Sequence, residues 1–223
     1  MNNELGFLAA LLTVVAVGAW VRYQGRQRAR RAAGARALGW EPAVEPGLLK
    51  SRWMRDMTLT RIGHSRRIES VFQQPGPVFL FYYRCETGFE HRRNSHRWMA
   101  IAATIDARIS RATISREDWL LAAARLPGMT RIAPGADADT TSPSAVVEDP
   151  EQWRTILSGP AGAWLGNQPE ARSWEFLPGM IVGYEGASPG DAAIDALSQA
   201  MNELLATLGQ AGSWEAASAF GAG

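Results

Sequence analysis

Val78–Cys85, VFLFYYRC, and the run Trp98–Ile105, WMAIAATI, that follows it form the core of the predicted fold. Aromatic and β-branched residues favour strands, and apolar residues at successive positions are typical of a strand covered on both faces. Between the two runs lies the polar, arginine-rich segment Glu86–Arg97, ETGFEHRRNSHR. We therefore predict two paired strands of a sheet, joined by a polar loop.

A further hairpin is predicted upstream of this pair. The runs Met57–Ile62 and Arg67–Phe72 have the composition of strands, and they flank the glycine-led turn Gly63–Arg66. Pro75–Pro77 contains turn residues that separate the two hairpins. Downstream of both hairpins, Ile109–Ile114 predicts one more strand of the same sheet.

Capping residues mark the start of two short helices. Ser115–Asp118 (SRED) has the spacing of a capping box and precedes a helix predicted over Trp119–Leu126. Asp149 followed by Pro150 has the pattern of an N-cap with proline in the first turn, and it predicts a helix that carries Trp153 inward.

The end of the chain predicts a closing hairpin and a long helix. Ser173–Leu177 and Met180–Tyr184 are strand-like runs joined by Pro178–Gly179. A helix capped at Gly190–Asp191 follows, and its apolar residues recur at helical spacing, which predicts one continuous buried stripe. The residues of this stripe are Ile194, Leu197, Met201, Leu204, Leu205 and Leu208.

The first segment of the chain is apolar and a basic segment follows it. Leu5–Val21 (LGFLAALLTVVAVGAWV) holds seventeen residues without a charge, and as a helix it would measure roughly 25 Å. Trp20 and Tyr23 lie at its end, where amphipathic aromatic residues favour the headgroup layer. The membrane-flanking cations that follow are Arg22, Arg26, Arg28, Arg30 and Arg31. By the positive-inside rule, we predict a single-pass protein of the bacterial inner (cell) membrane, with its N-terminus outside and its C-terminal domain in the cytoplasm.

Two other interpretations of this segment stay open. Val17–Ala19 has the small residues of a signal-peptide cleavage site, but the preceding MNNE lacks the positive charge that such peptides carry. The other interpretation, a helix buried in a soluble core, is disfavoured because the segment has no polar face.

Together these elements predict an α+β protein, with an N-terminal transmembrane helix followed by a mainly antiparallel sheet, short helices and a long C-terminal helix. A pleckstrin-homology-like barrel closed by the last helix is one specific version that the strand count permits. The predicted organisation is an anchor over residues 1–22, a basic juxtamembrane segment over 23–39, a cytoplasmic α+β domain over 40–209 and a flexible tail over 210–223.

Composition and charge narrow the function classes. The chain has 23 basic and 22 acidic side chains, and this balance argues against a nucleic-acid-binding protein. A single cysteine excludes a disulfide framework within the chain and a multi-cysteine zinc site. Residues 40–133 are basic and residues 134–223 are acidic. Either the two halves complement each other's charge in the fold, or the basic half faces anionic lipid, at roughly 1 kcal/mol per cation.

The candidates for chemistry are few. Cys85 lies beside an arginine that would lower the pKa of its thiol, and His64, His91 and His96 are the chain's histidines. Nearby arginines would oppose a metal cation, and no known catalytic or phosphate-binding motif occurs. We therefore predict no cofactor, no metal and no enzymatic activity. The alternative is a membrane-tethered hydrolase that uses Cys85 or a loop histidine.

The best candidate for an interaction surface is the arginine-rich loop. Arg92, Arg93 and Arg97 offer guanidinium groups that bind carboxylates or phosphates in a forked geometry. Their partners would be anionic lipid headgroups or a protein; an ordinary solvated hairpin tip is the alternative. The predicted function is a membrane-anchored cytoplasmic binding or scaffold domain.

The chain resembles a family of uncharacterised bacterial single-pass membrane proteins. The matching pieces are Ala37–Trp40, Phe79–Arg84, Arg92–Trp98, Glu148–Pro150 and Asp191–Leu208. The resemblance implies an N-terminal membrane helix, a basic linker and a cytoplasmic α+β domain. It carries no assigned activity and no catalytic residue.

Overall fold

A nine-stranded antiparallel sheet organises the part of the chain that this computed structural model describes, namely residues 2–44, 46–47, 50, 55–88, 94–105, 109–132, 143–186 and 191–210. The strands are β1 (Glu41–Pro42), β2 (His64–Gln73), β3 (Val78–Thr87), β4 (Asn94–Thr104), β5 (Ala112–Ser115), β6 (Thr130–Ile132), β7 (Ser144–Val147), β8 (Ser173–Leu177) and β9 (Met180–Gly186). Their order across the sheet is β1-β2-β3-β4-β9-β8-β5-β7-β6.

Helices cover one face of this sheet, which we call the helical face. The helices with described bounds are α1 (Asn2–Ala37), α2 (Asp118–Ala124), α3 (Pro150–Ser158), α4 (Pro160–Gly166) and α5 (Asp191–Gln210), and a 3₁₀ turn spans Leu59–Arg61. Apolar residues of α1, α3, α4 and α5 share one core with the helical face. The 3₁₀ turn and α2 cover the opposite face, which we call the loop-covered face. The predicted α+β class with a large antiparallel sheet and a long C-terminal helix is confirmed; the pleckstrin-homology-like version stays a prediction.

The paired strands β3 and β4 lie third and fourth in the sheet, between β2 and β9. Their register runs without a shift from Val78 opposite Ala103 to Thr87 opposite Asn94. Leu80 and its alternate neighbours are buried on the helical face, whereas Phe81 and its alternate neighbours are buried on the loop-covered face. The prediction of a strand pair covered on both faces is confirmed.

One predicted strand is wrong. Met57–Ile62 forms no strand but contains the 3₁₀ turn, in which the Thr60 hydroxyl donates to the Met57 carbonyl over 2.8 Å. Such a local side-chain bond competes with the hydrogen-bond ladder of a sheet. Met57 and Leu59 are fully buried on the loop-covered face, so this segment covers the sheet instead of extending it.

Of the two helix starts predicted from capping residues, the structure confirms one and contradicts the other. The Asp149 side chain accepts hydrogen bonds from the backbone N–H groups of Glu151 and Gln152, and Trp153 is buried, as predicted. The capping box before α2 is wrong, because Glu117 is the N-cap and makes no side-chain cap bond. Most of the α5 stripe is buried, as predicted. Strands β6 and β7 were not predicted from the sequence. Residues 211–223 of the predicted tail lie outside the described residues.

Helix α1 corrects the predicted localisation. It runs for 36 residues from Asn2 to Ala37, through both the apolar and the basic segment. Within the described residues, no helix has the length and apolar character needed to cross a membrane. The prediction of a single-pass inner-membrane protein with a cytoplasmic C-terminal domain is therefore wrong.

The N-cap of α3 makes a direct stability prediction. Asp149→Ala removes the acceptor for two backbone donors, so we expect the free energy of unfolding to fall by about 1 kcal/mol. Asp149→Asn keeps an acceptor and should stay close to wild type. Urea unfolding measures both, with Glu170→Ala, in an exposed loop, as the control for removing one surface acid. An unchanged midpoint for Asp149→Ala would contradict the capping role.

Candidate functional site

The most exposed apolar surface of the described chain lies on α1. Every residue from 11 to 23, which we call the projecting segment, is exposed. Eight of the ten large apolar side chains that are exposed in the described residues belong to it: Leu11, Leu12, Val14, Val15, Val17, Trp20, Val21 and Tyr23. Contiguous exposed apolar surface of this kind marks a contact site for another molecule.

Basic side chains begin at the end of the projecting segment, with Arg22, and continue after it. The exposed guanidinium groups in this part of α1 are those of Arg22, Arg26, Arg28 and Arg30. The residues predicted from the sequence to lie at the membrane boundary are therefore exposed, with the exception of Arg31. The arrangement presents an apolar segment with a cationic border.

Arg31 has a different role, because it joins α1 to the sheet. Its side chain is buried, and its Nη1 atom lies 2.7 Å from Oε2 of Glu69 on β2. Its guanidinium carbon also lies 4.7 Å from the centre of the Tyr82 ring, in a cation–π contact. Burial acts to raise the pKa of Glu69, but Arg31 and two further arginines outweigh it and hold that pKa below its usual value.

The three arginines of the predicted loop surface are not brought together in the described residues. Arg97 is half-buried on β4, and its Nη2 atom donates to Oε1 of Gln24 on α1 over 3.4 Å. It therefore faces α1 and not the tip of the loop. Arg92 and Arg93 lie outside the described residues.

The Arg31–Glu69 pair predicts how firmly α1 is held. Arg31→Ala leaves a buried carboxylate without its main partner, so we expect a loss of about 3 kcal/mol in the free energy of unfolding. The double variant Arg31→Met with Glu69→Gln removes both charges and should recover most of that loss. Urea unfolding measures the effect, with the exposed neighbour Arg30→Ala as control. Equal stability of the Arg30 and Arg31 variants would contradict the anchoring role.

The candidate nucleophile Cys85 is buried in the loop-covered core. Burial is the main cause that raises the pKa of its thiol, which therefore stays protonated at neutral pH. Nδ1 of His64 lies 2.7 Å from the Glu86 carbonyl, and Nε2 of His96 lies 2.7 Å from the Thr87 hydroxyl. His91 lies outside the described residues. Among the residues that are described, no three His, Cys, Asp or Glu side chains form a group suited to a metal ion.

A cluster of buried polar side chains was not predicted from the sequence. It lies on the loop-covered face of β5, β8 and β9, beneath the 3₁₀ turn, and we call it the polar seam. Apart from Arg31, the buried polar residues of the described chain belong to it. Its members are Thr58, Thr60, Thr113, Ser115, Ser173, Glu175 and Tyr184.

Hydrogen bonds connect the 3₁₀ turn to the strands through this seam. Oε1 of Glu175 on β8 accepts from the backbone N–H of Thr58 over 2.6 Å. The hydroxyl oxygens of Thr58 and Thr113 lie 3.3 Å apart, and those of Ser115 and Ser173 lie 2.8 Å apart. The turn and three strands therefore meet at a single carboxylate and a few hydroxyls.

In the polar seam, the hydrogen bonds of the Glu175 carboxyl do not offset the full cost of its burial. Burial raises its pKa to about 7, although Thr58, Arg111 and Arg61 act in the opposite direction. Its Oε2 atom and the Tyr184 hydroxyl are buried and have no hydrogen-bond partner among the described residues. Burial and the nearby Glu175 both raise the pKa of the Tyr184 phenol. Buried polar atoms without partners are rare, and they concentrate at sites with a role beyond packing.

The sequence carried only a misleading signal for this site. In the run SWEFL, Trp174 and Phe176 alternate with Glu175, a pattern that is typical of a strand with one wet face. Because the loop-covered face is itself buried, the alternating carboxylate lies inside the protein.

The raised pKa of Glu175 predicts a pH-dependent stability. The folded protein holds this proton more tightly than the unfolded chain, so ionisation costs stability as the pH rises from 4.5 through about 7. Relative to Glu175→Gln, wild type should lose up to about 3 kcal/mol across this range. Urea unfolding from pH 4 to pH 8 measures the difference. Parallel stability curves for the two proteins would contradict the burial of an ionisable carboxylate.

Comparison with known proteins adds a likeness of fold. No protein-family model matches the chain, and no curated protein matches it. Among solved structures, the chain is similar to the crystal structure of the mycobacterial trehalose monomycolate transport factor A, TtfA, with 14% identity and a TM-score of 0.54. The match covers 80% of this chain and 94% of that chain. At this identity the likeness shows the fold alone, and the resemblance to a family of bacterial membrane proteins stays a prediction.

Proposed function

We propose that this protein is a non-enzymatic binding domain and that the projecting segment of α1 is its contact element. The observation that carries the proposal is the concentration of exposed apolar side chains on residues 11–23, next to a border of four exposed arginines. Leaving such side chains in water is unfavourable by roughly 25 cal/mol per Å² of apolar surface. A partner that covers this surface recovers that free energy.

The partner that this chemistry favours is an anionic lipid surface. The exposed apolar side chains lie on all sides of the projecting segment, so a protein groove that accepts one face of a helix would leave the others in water. Trp20 and Tyr23 lie at the boundary between the apolar and the basic residues, where amphipathic rings suit a lipid headgroup layer. Each arginine near an anionic surface adds roughly 1 kcal/mol.

The C-terminal end of α1 is packed into the domain, so that a partner bound at the projecting segment is linked to the sheet. Ala35 is fully buried, and its carbonyl accepts from the backbone N–H of the buried Trp40 over 2.9 Å. With Arg31 paired to Glu69 one turn earlier, the last two turns of α1 belong to the core on the helical face. Because the helix continues without interruption from this anchored end, a partner bound at residues 11–23 holds the whole sheet.

A further observation supports a binding role over the alternative of a hydrolase. The Cys85 thiol is buried and its pKa is raised, whereas a nucleophilic thiol needs access and a lowered pKa.

Vesicle binding tests the proposal. The full chain should float with vesicles of phosphatidylglycerol and phosphatidylcholine more strongly than with phosphatidylcholine alone. Arg26→Ala with Arg28→Ala should weaken binding to the anionic vesicles by about 30-fold, from two cations at roughly 1 kcal/mol each. The matched control removes two exposed arginines elsewhere, Arg125→Ala with Arg154→Ala.

A second pair of variants tests the apolar contact. Trp20→Ala should weaken binding to both kinds of vesicle, whereas Trp119→Ala, which truncates an exposed tryptophan of α2, should leave it unchanged. Equal binding by the Arg26–Arg28 and Arg125–Arg154 variants would reject the anionic surface as the partner. If all the α1 variants bound vesicles as strongly as wild type, this result would reject α1 as the contact element and favour a protein partner.

A further inference from the structure

The 3₁₀ turn is attached to the sheet by a few polar contacts and by the buried side chains of Met57 and Leu59. The backbone N–H of Thr58 donates to Glu175, and the Thr58 hydroxyl lies within hydrogen-bond distance of Thr113. On the outer side, Arg66 donates to the Thr60 carbonyl over 2.8 Å. Within the described residues, the pairing of β5, β8 and β9 involves no residue of the turn, so the turn can separate from the sheet without breaking that pairing.

Charged and titratable groups approach Glu175 from each element around it. The turn contributes Arg61, the segment before β5 contributes Arg111, and β9 contributes Tyr184. Nη1 of Arg61 is buried and has no hydrogen-bond partner among the described residues. The two arginines act on the carboxylate at a distance, and Thr58 is its direct donor. An ionised Glu175 is therefore buried with little direct compensation, which is unfavourable in a low-dielectric interior.

We propose that residues 58–61 form a latch over the polar seam, closed while Glu175 carries its proton and opened more often once this carboxylate ionises. In the closed state, the neutral carboxyl group still accepts the hydrogen bond from Thr58. Opening the latch admits water to Glu175, so the open state favours the ionised form. This inference is independent of the contact proposed for α1.

Opening would change the surface of the loop-covered face. The apolar side chains that leave the core when the latch opens are Leu59 and, directly before the latch, Met57, and both are fully buried when it is closed. Their burial keeps the closed state dominant. The open state uncovers an apolar surface around Tyr184 and Val182 on β9, together with the seam's hydroxyls. Ionisation of Glu175 thus couples the pH to exposure of this face.

Amide hydrogen exchange tests the latch in the full chain. The reporters are the backbone N–H of Thr58, bonded to Glu175, and that of Arg61, bonded to the Thr58 carbonyl over 2.9 Å. After division by the intrinsic exchange rate, the opening constant should rise about tenfold between pH 6 and pH 8, as linkage requires for a pKa of about 7 in the closed state and 4.5 in the open state. In Glu175→Gln this rise should disappear.

Two further measurements separate the latch from whole-domain unfolding. The amides of Phe81 and Ala100, inside the β3–β4 pair, should exchange more slowly than those of the latch at every pH. Glu185→Gln removes a different carboxylate of β9, which is paired with Arg172, and this variant should keep the pH dependence of wild type. Exchange of the latch amides at the same rate as the strand amides would overturn the proposal even if Glu175→Gln failed to fold. A pH dependence that persisted in folded Glu175→Gln would also overturn it.

Discussion

The pairing of β3 with β4 dictates how the other elements of the protein are placed. Ten consecutive residue pairs, without a bulge, place apolar side chains on both faces of the sheet. A sheet of this kind is stable only when both of its faces are covered. The helices satisfy this requirement on one face, and the 3₁₀ turn with α2 satisfies it on the other.

Covering both faces has a consequence for the polar residues of the outer strands. Strands β5 and β8 carry hydroxyls and a carboxylate on the side that would face water in a two-layer protein. Once the 3₁₀ turn closes over them, these groups must bond to one another or stay unsatisfied. The polar seam, with Glu175 at its centre, is the result. The same covering places Cys85 out of reach of water and raises the pKa of its thiol.

Helix α1 combines two environments along one continuous element. Its last turns are fixed to the sheet by a buried ion pair, whereas residues 11–23 project with their side chains exposed. Arg31 differs from the neighbouring arginines only in its angular position on the helix, which turns it towards Glu69 and Tyr82. No property of the sequence around it distinguishes an anchoring arginine from a contacting one.

The amino-acid sequence by itself determined the local elements with strong signals: the aromatic strand pair, the Asp149 cap, the closing hairpin and the stripe of α5. These depend on periodicity and on contacts a few residues apart. Three outcomes depend on the tertiary structure: Met57–Ile62 covers the sheet instead of joining it, Glu175 is buried, and Arg31 of α1 contacts β2 and β3 while Arg97 of β4 contacts α1. Those outcomes depend on partners distant in the sequence, such as the bond from Thr58 to Glu175 across 117 positions. Local pattern carries no information about which surface a segment will meet.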